Sequence, residues 1–275
     1  MKAIRTLTPW AAVLALLSQT PSMAQQFSYS AAHITSWDGC ECSSSSLSFT
    51  DDQMNGFDAA LASRGHIRMH RFANTDVWAS DYTEDSFGGF DHISSDDSDL
   101  IAYSGHGAAP KYSSGQTYKA PVCRSGSTSS CWFDSQNIRF GERSGSHATP
   151  FVGETRWSLW FTCYSVDERP DQQWGAALLQ GHEYVMGYRD TSLDFYTTDE
   201  VPSDWVDRAI GGADSFKSAW FWAVEDWWAN DTGGLVTAGP DSNSTLYRLD
   251  HLNKTWARRD ASDYGLWIAW SYHQG

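Results

Sequence analysis

The chain has 275 residues, 41% apolar and 15% aromatic, with 34 Asp and Glu against 19 Lys and Arg and a formal charge of −15. A composition of this kind supports one or two packed domains and excludes a disordered or collagen-like chain. No basic stripe is present to neutralise phosphates, so no nucleic-acid partner is expected.

The chain opens with Lys2 and Arg5, a short apolar run at 10–17, and a small-x-small site at Ser22-Met23-Ala24. This pattern predicts an export signal over residues 1–24 and a mature chain of 25–275 forming a single α/β domain. No later segment approaches the roughly 20 apolar residues of a membrane span, so a secreted or periplasmic protein without a membrane anchor is expected.

Residues 27–35 alternate as a strand and lead into a Gly/Ser-rich loop holding Cys40 and Cys42. A helix is predicted from Thr50, with Thr50-Asp51-Asp52-Gln53 as a capping box, Met54, Phe57 and Leu61 on one face, and Arg64-Gly65 as the stop. Strand character resumes at 67–72. The run 100–103 is continuous and apolar, as in a strand buried on both faces of a parallel sheet, and it ends in Ser104-Gly105-His106-Gly107. Residues 108–150, rich in Ser, Gly and Pro and holding Cys123 and Cys131, read as an excursion from the core. A second buried strand is predicted at 157–163, then a helix opened by Pro170 and closed by Gly181, then a third buried strand at 184–188. A helix from Ser215 places Phe216, Trp220, Val224 and Trp227 on one face, and 264–272 reads as the last strand. Strands alternating with helices imply an α/β fold with a mostly parallel sheet covered on both sides.

Five cysteines are an odd number for an oxidising compartment. Cys40, Cys42, Cys123 and Cys131 lie in loops as candidate disulfides whose connectivity the spacing leaves open. Cys163 follows an apolar run without a loop partner and is the odd thiol. In an open parallel sheet, functional groups gather beyond the carboxyl ends of the strands. His106 and Cys163 both take that position. A thiol needs a neighbouring base to act as a nucleophile at neutral pH, and an imidazole is the usual one. Gly105 and Gly107 would let backbone amides approach a substrate closely.

This order of apolar strand, His106-Gly107, apolar strand and Cys163 resembles the caspase, legumain, gingipain and clostripain superfamily of cysteine peptidases, over residues 98–190. The resemblance implies a three-layer caspase-like fold with Cys163 as nucleophile and His106 as general base and acid. It also implies an oxyanion held by the backbone N–H groups of Gly107 and Cys163, a peptide or protein substrate, and no required cofactor. The residues flanking Cys163 are Phe161-Thr162 and Tyr164-Ser165, unlike the caspase stretch. No Arg set matches an aspartate-binding pocket, and the acidic surface points instead to cleavage after Arg or Lys.

Other groups were candidates for different chemistry. His66 and His70 have i,i+4 spacing but lack a third zinc ligand. Asp96, Asp97 and Asp99 offer clustered oxygens, a candidate calcium site, without the spacing of a Ca²⁺ loop. Glu225 and Asp226 are adjacent and so cannot flank one glycosidic bond from a helix. Asn230, Asn243 and Asn253 each open a glycosylation sequon. The 15 Trp residues supply the alternative reading, a carbohydrate-binding protein on an inactive caspase-like scaffold, which requires them to be exposed. Oligomeric state is left open.

Overall fold

The computed structural model describes residues 26–108, 117–141, 154–225, 231–257 and 267–274. The expected export signal, Asp226, Trp227, Asn230 and parts of the 108–150 excursion lie outside the described residues.

Seven strands form one sheet: β1 (Ser28–His33), β2 (Ile67–Ala73), β3 (Leu100–Ser104), β6 (Trp157–Phe161), β7 (Tyr184–Tyr188), β8 (Thr232–Gly239) and β9 (Trp267–Gln274), in the order β2-β1-β3-β6-β7-β8-β9. The pairings of β2 with β1, β1 with β3, β3 with β6, and β6 with β7 are parallel. The last two strands add on antiparallel. Every residue of β3, β6 and β7 is buried. That explains why these central strands are continuous apolar runs, whereas the edge strand β2 exposes Ile67 and Met69.

Alternate residues of each strand feed two cores, as the two-residue period of a pleated strand requires. Leu100, Ala102, Trp157, Leu159 and Phe161 face one layer of helices, α1 (Thr50–Ala62), α3 (Val201–Trp205), α4 (Phe216–Val224) and α5 (Ser242–His251), which contribute Phe57, Trp205, Trp220 and Leu249. Ile101, Tyr103 and Trp160 face the other layer, made by α2 (Pro170–Leu178) and a small antiparallel hairpin, β4 (Lys119–Pro121) with β5 (Trp132–Asp134). The described part of the excursion, residues 117–141, thus belongs to the second layer. The fold is three-layer α/β with a mostly parallel sheet.

Two expectations need correction. Thr50 is the first residue of α1 and not its cap; Phe49 takes the N-cap position with no side-chain cap. The amides of Ser48 and Phe49 are instead taken up by the distant carboxylate of Asp194, which leaves Gln53 free to turn inward. Strand β6 also stops at Phe161, two residues short of Cys163, because the chain there begins to turn, with Tyr164 in the left-handed region at φ 58°.

Among the described residues the tryptophans divide between core and surface: Trp37, Trp157, Trp160, Trp174, Trp205 and Trp220 are buried, whereas Trp78, Trp132, Trp222, Trp267 and Trp270 are exposed. Of the exposed ones, Trp78 and Trp222 have a guanidinium over the ring, from Arg124 and Arg208.

Candidate active site

Ser104 ends β3 and Phe161 ends β6, and the two are register partners. Residues 105–107 and 162–163 therefore leave the same carboxyl edge side by side. Contact between the two stretches is so close that a Cβ on Gly107 would lie 2.1 Å from the carbonyl oxygen of Cys163 and 3.0 Å from its nitrogen. Only glycine fits there. Beyond Cys163, the left-handed Tyr164 donates its N–H to the Asp190 carbonyl at 2.8 Å, which fixes the turn that presents the thiol.

Cys163 is the free cysteine, half-buried; the other four form Cys40–Cys123 and Cys42–Cys131. Its Sγ accepts the Ser192 N–H at 3.3 Å and faces the Ser192 carbonyl at 3.6 Å. Burial pushes the thiol above its ordinary range, while the N–H groups of Ser192, Cys163 itself and Gly107 pull the other way and Asp231 adds a further upward push. Among the described residues, Ser192 supplies the backbone N–H that meets hydrogen-bond geometry at the sulfur. Gly107 and Cys163 carry the amides assigned by resemblance to the oxyanion.

His106 is held from the opposite side. Its Nε2 is 2.7 Å from the carbonyl oxygen of Ser45 and 3.1 Å from that residue's hydroxyl. A carbonyl only accepts, so Nε2 carries a proton, and in the neutral imidazole the lone pair is on Nδ1. The Trp37 ring stacks on the imidazole at 6.4 Å between centroids and 27° between planes. No hydrogen bond joins His106 to Cys163 among the described residues. Both line one small surface cleft together with Leu47, Leu193 and Asp194. Its floor is polar and closed: the buried Gln53 accepts from the Ser104 hydroxyl and donates to the Thr198 carbonyl at 3.1 Å.

Sequence reasoning missed Ser45, Ser192 and Asp194. Ser45 and Ser192 act through main-chain atoms, which residue type does not report, and Asp194 acts on a helix more than a hundred residues away.

The remaining candidates lie elsewhere. Asp96 accepts amides of Gly141 and Thr155 at 2.9 and 2.8 Å, Asp97 pairs with His70 at 3.2 Å, and Asp99 accepts the Ser28 amide at 2.9 Å. The proposed calcium carboxylates thus point to three separate partners at the amino end of β3, the far edge from Cys163. His66 stacks on Phe27 at 3.7 Å and does not join His70. Among the described residues, no group of three or more His, Cys, Asp or Glu side chains could hold a metal ion.

Fold and site together define a three-layer α/β protein with a free thiol and an oriented imidazole on one cleft. Residues 34–271 match the DUF6345 family, a domain of unknown function, and the chain belongs to that family. No curated protein matches the chain. Two disulfides fit an oxidising compartment outside the cytoplasm, and among the described residues no helix is long and apolar enough to cross a membrane.

Proposed function

We propose that the protein is a secreted cysteine endopeptidase of the caspase-like kind, with Cys163 and His106 as its dyad. The supporting observation is the convergence of a free thiol and an imidazole with a basic Nδ1 on one cleft at the carboxyl edge of the sheet. Substrate entry would bring the two side chains together, since catalytic contacts are often loose before binding. Nδ1 takes the thiol proton and the sulfur attacks the peptide carbonyl. The negative oxygen of the tetrahedral intermediate is met by the amides of Gly107 and Cys163. The C–N bond then breaks, His106 returns its proton to the departing amine, and an acyl thioester remains on Cys163. Water that loses a proton to His106 attacks the thioester, releasing the carboxylic acid and restoring the thiol. No cofactor enters these steps. Asp194 in the cleft wall and the charge of −15 support a basic side chain beside the scissile bond.

The test is digestion of a peptide library by the mature protein and by Cys163→Ala, in a mild monothiol, with and without Ca²⁺, read by mass spectrometry. Cleavage by the wild type alone, after Arg or Lys, is expected. A wild type that cleaves nothing in either condition removes the proposal.

A further inference from the structure

Residues 43–46 are four consecutive serines, all exposed. With no apolar side chain to seat it, such a run takes its position from its anchors. Downstream, Leu47 donates its N–H to the Thr35 carbonyl at 3.0 Å. Upstream the anchor is covalent: Cys42 is bonded to Cys131 and Cys40 to Cys123. The same stretch is also hydrogen-bonded, the amides of Glu41 and Cys42 donating to the Cys123 carbonyl at 3.0 and 3.2 Å. Ser125 donates its amide to the Glu41 carboxylate at 3.0 Å. These partners flank the β4–β5 hairpin, where Val122, Cys123 and Phe133 are fully buried against the sheet. A rigid path therefore runs from the core to Cys42, three residues before the carbonyl that contacts His106. It also holds Trp37, whose carbonyl accepts the Cys40 amide at 3.1 Å and whose ring lies on the imidazole.

We propose that the Cys40–Cys123 and Cys42–Cys131 disulfides are positioning elements for His106: they hold the Ser45 carbonyl on Nε2 and thereby keep Nδ1 the basic nitrogen. The effect on catalysis rests on the peptidase reading above, whereas the effect on the tautomer does not. Its consequence is a redox window. An external dithiol reduces each disulfide to two thiols and itself closes to a cyclic disulfide, delivering two electrons and two protons. The nucleophile then stays reduced while its base loses orientation.

The test uses the full mature chain and ¹⁵N-resolved NMR of the imidazole, with His106 assigned by its loss in His106→Gln. Two slackened forms are compared with wild type: the double variant Cys42→Ser/Cys131→Ser, and an insertion of two glycines between Ser43 and Ser44 that leaves both disulfides intact. Wild type is expected to show a single Nε2–H form. Both slackened forms are expected to show mixed tautomers and a kcat/KM lower by on the order of 10²-fold, the scale of a misplaced catalytic group. If both keep the wild-type tautomer, the proposal is overturned. Should the double variant fail to fold, the glycine insertion decides alone. A wild type that cleaves no peptide defeats the peptidase reading, and the tautomer comparison still decides this one.

Discussion

Cys163 rests where burial opposes its ionisation, and three backbone amides offset that only in part. In the unliganded protein, alkylation by iodoacetamide is therefore expected to show a pH midpoint above the ~8.5 of an ordinary thiol. A midpoint below neutrality would mean that burial does not govern this thiol. Gly107 gives a second expectation. A Cβ 2.1 Å from the Cys163 carbonyl oxygen meets backbone and not a movable side-chain tip. Gly107→Ala must then separate the two segments, with kcat/KM expected to fall on the order of 10²-fold. Circular dichroism and peptide turnover on the same sample would distinguish this from unfolding, and near-normal turnover would contradict the close approach. At this scale the sequence is readable where a feature belongs to a side chain: the odd cysteine is the free thiol, and it lines one cleft with the His between glycines. The carbonyl of Ser45 could not be read, because any residue type supplies one.

Among the elements, β1 ends at His33, 6% exposed, with an Nδ1 that finds no hydrogen-bond partner among the described residues. Burial, with a further push from Arg71, lowers its pKa to about 4. The folded protein then refuses a proton that the unfolded chain accepts below about 6.5, so stability is retained above that pH and lost as pH falls towards 4. His66 acts in the same direction, its pKa likewise lowered to about 4, chiefly by burial. Asp81, raised to about 6 by burial, acts oppositely, since its folded form resists ionisation as pH rises from its unfolded range to 6. Replacing His33 by Asn is expected to remove about 3 kcal/mol of the difference in unfolding free energy between pH 7 and pH 4. Urea titrations at the two pH values measure it, and an unchanged difference would place the acid sensitivity elsewhere. The legibility of elements followed side-chain pattern too. Strands β3, β6 and β7 announce themselves as apolar runs, but β8, with Gly233, Gly234 and Gly239, does not. Its glycines answer to packing: a Cβ on Gly233 would meet Val224 at 2.6 Å, and one on Gly234 would meet Val166 at 3.0 Å. The capping signal at Thr50 failed for a related reason, since a carboxylate from a remote segment does the capping.

Across the whole molecule the two disulfides cross in sequence, Cys40 with Cys123 and Cys42 with Cys131, at separations of 83 and 89 residues. Either one alone closes a long loop in the unfolded chain, worth about 4.5 kcal/mol by chain entropy. With one in place, the other closes only a short circuit through the first bond and adds about 3 kcal/mol. Removing either pair should therefore cost about 3 kcal/mol, and removing the second should cost more than the first. Equilibrium unfolding of the two double Cys→Ser variants and the quadruple variant measures this, and equal increments would refute it. The crossing has a consequence for biosynthesis as well. Exchanging partners, Cys40 with Cys131 and Cys42 with Cys123, joins the same two segments and encloses loops of nearly the same size, so chain entropy barely distinguishes the isomers. What distinguishes them is register. The swapped isomer would slide the serine run along its anchor and carry the Ser45 carbonyl away from His106, giving a compact, fully oxidised chain without a set imidazole. Chain entropy therefore does not select the native pairing during oxidation, and a preparation can be homogeneous in mass yet mixed in the position of its serine run.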